Sequence, residues 1–470
     1  MKLRTPLLLV ALTLGLAALG FAIQNTAERG LIVHEWGTFT CLQDETGQAI
    51  GGINTDDEPV PPFVHDLAAT LLIRATELPP VFFNKGAPGL HPEVTMRLET
   101  PVIYFHLPKS QPKPLRLDVN VEFRGGWLTQ FYPSAEAVAP GVESGPKFGH
   151  LRSGTVGQLA WLALTVGGDA TGPATTEHVW TSPRAVEAAS VTTTDHESEK
   201  FLFYRGVAHI DSPLQVTRDA TGRQLVLRSQ FHSALDSKLP VVIRHLWLAE
   251  VRPDGASAFR PLTPVTLAGA GDGVAVTTPA TFAPDEFSTE NSARFRADMR
   301  RALVEEGLFD DEADALLNTW ELSYFKSPGL RLFFLVPRAW TDSSLRLKIS
   351  VPADVHRVMM GRIELVTPVQ RELLAKIAAG PAPDMQSFNQ TLGEIQRKFG
   401  SNQVPYNSVL SGRAPIASLG VPVPEAYQAY LNLGRFRNAL VLDEEKRHPT
   451  AALARFIDDN GLKAYQIPSR

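Results

Sequence analysis

Between Leu115 and Phe123 apolar and polar side chains alternate without a break, Leu115, Leu117, Val119, Val121 and Phe123 against Arg116, Asp118, Asn120 and Glu122. Only an extended backbone sorts such a run onto two faces, one buried and one wet. The same habit predicts strands over Val102–Leu107, Phe201–Arg205, Arg223–Phe231, Val241–Val251, Leu330–Pro337, Leu345–Val351 and Val355–Val366. Turn signals stand between them at Thr221-Gly222, Pro253-Asp254-Gly255 and Gly271-Asp272-Gly273. Strands joined by short turns predict a mainly β fold, an antiparallel β-sandwich-like domain over residues 30–368. The 35 glycines follow no three-residue period, which excludes collagen.

Helical periodicity interrupts and then replaces this rhythm. Pro62–Leu78 carries Phe63, Leu67 and Leu71 at helical spacing, with Pro62 suited to a first turn. Ser288–Gly307 and Asp310–Phe325, closed by Ser327-Pro328-Gly329, predict a helical hairpin inserted at about residues 288–326. Ala135–Gly149, rich in small residues, reads as a long loop. After Pro368 the period becomes 3.6, with helices expected over Val369–Ala379, Met385–Phe399, Pro424–Leu433 and Thr450–Asp459. Residues 369–470 are therefore expected to form an α-helical C-terminal region.

The first residues address the chain. Lys2 and Arg4 precede an apolar run from Leu7 to Ala22, the order of a secretory signal. At about 16 residues the run is shorter than the ~20 that a spanning helix needs. Residues 1–24 are read as a signal peptide or an uncleaved N-terminal anchor, which places the rest outside the cytoplasm, periplasmic or secreted. One cysteine, Cys41, permits no intramolecular disulfide, so stability must come from the core. Lys plus Arg number 45 against 50 Asp plus Glu, a net charge of −5 without basic runs, and nucleic acid is not an expected partner.

His34-Glu35-Trp36-Gly37-Thr38-Phe39-Thr40 resembles the opening of a family of uncharacterised exported bacterial proteins. Leu98-Glu99-Thr100-Pro101-Val102-Ile103-Tyr104-Phe105, Phe201-Leu202-Phe203-Tyr204-Arg205-Gly206, Asn318-Thr319-Trp320 with Ser323-Tyr324-Phe325, and Arg357-Val358-Met359-Met360-Gly361-Arg362 carry the likeness further. It spans Leu31 to Pro368 and implies one exported fold unit. It brings no activity, ligand or catalytic residue with it.

The chemistry has to be read from single residues. P-loop, zincin, nucleophile-elbow and Cys-x-x-Cys patterns are all missing, and Gly269-Ala270-Gly271-Asp272-Gly273 does not complete a dinucleotide fingerprint. On a strand His34 and Glu35 face opposite sides, Glu35 with Val33 and Phe39. A carboxylate on an apolar face must be paired or hold a raised pKa, so Glu35, Glu99 and His34 are the catalytic candidates, and Arg205 or Arg362 is the expected structural partner of Glu35. Tyr104, His106, Tyr204, Arg205 and Arg362 are the ligand-binding candidates, with Glu99, Tyr104 and His106 expected in a polar patch near Glu35. The chain has 12 histidines but no His-x-His or His-x-x-x-His. A set such as His34, His106, His209 and His245 would have to assemble across strands, so no metal and no cofactor are expected. His65-Asp66 is read as a surface or capping pair on a helix. The function expected is a binding or scaffold module for a polar ligand of the cell envelope, a glycan or peptide, with a hydrolase using a buried carboxylate and a His or Tyr partner as the alternative. The sequence leaves the oligomeric state open.

Overall fold

The structure, a computed structural model, describes residues 30–55, 59–68, 83–110, 114–143, 147–230, 241–267, 275–379, 390, 394 and 425–468. The leader, the glycine-rich segment 269–273, the second half of the helix expected after Pro62 and almost all of that expected over Met385–Phe399 lie outside the described residues.

The body is mainly β. Its principal strands are β1 (Ile32–Gln43), β2 (Met96–His106), β3 (Leu115–Arg124), β4 (Gly126–Tyr132), β5 (Val156–Val166), β6 (Leu202–Ala208), β7 (Leu246–Val251), β8 (Ser257–Pro261), β9 (Gly329–Val336), β10 (Leu345–Ile349) and β11 (Asp354–Leu365). Along the hydrogen-bonded path they run β5-β4-β6-β2-β1-β11-β9-β7-β8, with β3 on β5 and β10 on β3. The main sheet is mixed, not antiparallel throughout as expected. β1 is antiparallel to β2 but parallel to β11. A parallel pair needs a long crossover, and here nearly the whole body lies between the two strands, which short turn signals cannot reveal.

β1 sorts its side chains as alternation requires. Val33, Phe39 and Cys41 enter one apolar cluster with Leu117, Val119, Val121 and Phe123 of β3 and Leu159 and Trp161 of β5. Trp36 enters another on the opposite face, beneath α1 (Asn291–Glu305) and α2 (Asp310–Thr319). α1 buries Phe295, Met299, Ala302 and Leu303, one helical stripe, and Gly307, at φ +110°, lies in the turn that follows. Asp310, Asp311 and Glu312 fill the first turn of α2, where acidic groups meet the positive end of the helix dipole. The helix expected over Asp310–Phe325 is divided. It stops at Thr319 and a π-helical turn, Leu322–Lys326, follows, from which the Tyr324 hydroxyl donates to Thr38 Oγ1 at 2.8 Å.

One irregularity decides which residues share the helix-covered face. Pairing of β1 with β2 shifts between Trp36 and Thr38, because Thr100 (φ +44°) and Pro101 form a bulge opposite Gly37. The shift inverts the alternation of β2, so Arg97 and Glu99 lie on the same face as Tyr104 and His106.

Other expectations need local revision. His65–Asp66 is a two-residue strand paired with Phe131 and Gln130 of β4, not part of a helix. The expected strand Val241–Val251 breaks at Arg244-His245. Short strands Glu136–Val138 and Val142–Glu143 occupy the expected loop after Ala135. At the C-terminus α3 (Pro368–Ala379), α4 (Glu425–Asn432), α5 (Arg437–Arg447) and α6 (Ala451–Asp459) share an apolar cluster with Leu42, Ile50, Ile53 and Trp127 of the body. The sequence reading missed α5. Thr450 caps α6, its side chain accepting from Leu453 N–H. Among the described residues no helix is long and apolar enough to cross a membrane.

Candidate functional site

At the start of β1, three neighbouring strands place histidines side by side. His34 of β1 pairs in register with His356 of β11, and Ile32 with His106 of β2. The ring centre of His34 lies 5.1 Å from that of His106 and 5.0 Å from that of His356. From above, α2 lowers Glu312 between two of them. His34 Nδ1 is 2.6 Å from Glu312 Oε2, and His106 Nε2 is 2.9 Å from Glu312 Oε1. Glu312 Oε2 also accepts the Phe309 N–H at 2.8 Å, and the Phe309 ring packs on both histidines. Glu312 is fully buried and His34 nearly so. Burial pushes the Glu312 carboxyl up, but the bonds from His106 and His34 outweigh it, and it titrates below its ordinary value. Sequence reasoning selected His34 and His106 and missed Glu312 and His356. The acidic first turn of α2 is accounted for by the helix dipole alone, so nothing local pointed to Glu312.

Glu35 lies on the other face. It is fully buried, and its partner is Arg357, not Arg205 or Arg362. Parallel pairing sets Glu35 opposite Arg357, and Arg357 Nε donates to Glu35 Oε2 at 2.5 Å. The Tyr204 hydroxyl donates to the other carboxylate oxygen. Arg357 also reaches Asp342 at 2.8 Å. Burial, then the charge of Glu35, pushes the Tyr204 phenol well above 10. His34 and Glu35 therefore never meet, and the polar patch expected near Glu35 does not form there.

At the far end of the helix-covered face lies a buried ionic centre. Glu99 is within 3.2 Å of Lys85, Arg97 and Arg435, the last from the loop before α5. Arg362 Nε donates to Glu364 at 2.7 Å, and Arg331 reaches the same carboxylate at 3.2 Å. Glu364 titrates low. Burial raises it, but the charges of Arg331, Arg362 and Arg435 prevail. Arg205, also buried, donates from Nε to Gln130 Oε1. Tyr104 donates to the Pro183 carbonyl at 2.9 Å in the aromatic core between these sites. Glu99, Tyr104 and His106 thus share a face without sharing a pocket.

A pocket of about 250 Å³ opens beside the histidines, lined by Val241, Arg244, Glu306, Arg338, His356 and Arg357 among others. His356 belongs to both, with its ring on His34 and Gly307 packed against it, since a Cβ there would sit 3.1 Å from His356 Nδ1. No protein-family profile matches the chain, and no curated protein matches it in sequence. Among solved structures, the Mu homology domain of Fcho1 from Danio rerio, with a bound Eps15 peptide, aligns over 72% of this chain and 98% of its own, at a TM-score of 0.27 and 6% identity, a likeness too slight to carry an argument.

Proposed function

We propose that the chain is an exported cell-envelope protein acting as a binding module for a polar ligand, a glycan or peptide, on a sandwich-like β scaffold. The state of the carboxylates carries this reading. Glu35 and Glu99, the acids singled out for a hydrolase, are fully buried and held by Arg357 and by Lys85, Arg97 and Arg435. A carboxylate so held serves the fold and has no free path to a substrate. The pocket differs in kind. Arg357 is spoken for by Glu35 and Asp342, but Arg244 and Arg338 stand at the pocket with exposed side chains, loosely paired with Glu306 and Asp342, so a ligand bearing a carboxylate is the favoured class. Titration calorimetry with uronic-acid oligosaccharides and short acidic peptides tests this. Wild-type protein should bind one of these probes, and the double variant Arg244→Ala/Arg338→Ala should lose it. Absence of binding to either class defeats the proposal. Turnover of a probe that vanishes in Glu35→Gln at an unchanged melting temperature would put the hydrolase in its place.

A further inference from the structure

We propose that His34, His106 and Glu312 bind one divalent first-row transition ion, zinc foremost, at the junction of the sheet and the inserted hairpin. Two imidazoles and a carboxylate are the donor set of many zinc and non-haem metal centres. Here they come from three separate elements and converge. One ring nitrogen from each of His34 and His106 and one Glu312 oxygen lie within 4.8 Å of one another, and Glu312 is fully buried. Donors around a tetrahedral ion with bonds of ~2.0–2.1 Å sit about 3.3 Å apart. Closing on an ion therefore asks for a small turn of a ring, and His106, partly exposed at the strand end, is the one with room.

A hydrogen-bonded ion pair is the competing explanation, and the number of rings counts against it. The Phe309 N–H and two imidazoles fill three of the roughly four acceptor sites of the Glu312 carboxylate, so an ion pair accounts for His34 and His106 and calls for no third ring. Instead His34 has two further imidazoles around it, His106 and His356, with His356 reaching Asp354 at the rim. A third imidazole beside a buried His–carboxylate–His set adds nothing to a hydrogen-bonded pair and is of use as a further ligand. Three protein donors leave one position of a tetrahedral ion open. His356 is the nearest further imidazole, and it also lines the pocket. The inference does not depend on which ligand that pocket takes.

The test uses the full chain, stripped with a chelator, desalted, and reloaded with zinc or cobalt alone. Wild-type protein should retain one ion per chain by elemental analysis. Its cobalt form should show visible absorption bands, and zinc should raise its melting temperature. His106→Gln, at the exposed edge of the cluster, should fold yet lose stoichiometric retention, the absorption and the zinc-dependent rise. Glu312→Gln should do the same. Should that variant fail to fold, the wild-type cobalt spectrum and His106→Gln still decide. Wild-type protein that retains no ion and melts identically with and without zinc overturns the proposal and leaves a hydrogen-bonded cluster. Retention that is unchanged in His106→Gln overturns it as well, by placing the ion elsewhere.

Discussion

Replacing Glu35 by glutamine keeps the side-chain volume and removes the charge that neutralises Arg357. Among the described residues the buried guanidinium then keeps one acidic partner, Asp342, whose side chain is itself exposed. Breaking a buried pair from one side costs about 3–5 kcal/mol, because the surviving charge is stranded. Glu35→Gln should therefore lower the thermal midpoint, read by circular dichroism, by several degrees. An unchanged midpoint would mean that the Glu35–Arg357–Tyr204 cluster does not stabilise the fold. Strand alternation alone separates His34 from Glu35 and requires a partner for Glu35, and both conclusions follow from the sequence. The identity of the partner does not, because Arg357 is brought opposite by the parallel pairing of β1 with β11. Glu312 was illegible for the same kind of reason. It is far from His34 in sequence, and its place in an acidic first turn has a sufficient local explanation.

At the scale of elements, the motif around Gly37 records a steric demand. A Cβ there would lie 2.9 Å from Pro101 Cα and 3.0 Å from Met359 Sδ. β1 is flanked on both sides, so neither neighbour yields easily. Gly37→Ala should destabilise the protein by about 1–3 kcal/mol, the usual cost of overpacking, seen as a lower urea midpoint with an unchanged slope. An unaltered midpoint would show that the bulge at Thr100-Pro101 has slack. Strands such as Leu115–Arg124 were legible because one face is wet and the alternation is complete. The bulge was not, since Pro101 marks an irregularity without saying that the faces of Arg97 and Glu99 invert. The hairpin was visible as two amphipathic stripes. Its π-turn was hidden, as Leu322–Lys326 continues an apolar pattern compatible with an ordinary helix end.

Across the whole molecule, the β body and the C-terminal helices meet through ion pairs as well as apolar contact. Glu45 holds Arg371 of α3 at 2.8 Å, Asp44 holds Arg447 of α5, and Glu364 answers Arg331 and Arg362 within the body. Burial raises all three carboxyls, yet their arginine partners and, at Asp44, the Thr46 hydrogen bonds bring each below its ordinary value. A group depressed in the folded state contributes stability that is complete above its unfolded pKa and is lost as pH falls through the folded one. Those ordinary values are 3.8 for Asp44 and 4.5 for Glu45 and Glu364. The melting temperature should thus show no loss from these groups between pH 7 and about 5 and fall steadily below about 4.5. Arg371→Gln removes the partner of Glu45, so it should lower the plateau and shallow the acid slope together. A variant whose plateau falls while its acid slope matches the wild type would show that Arg371 contributes by packing, and that acid sensitivity arises elsewhere than at the seam between the sheet and the C-terminal helices.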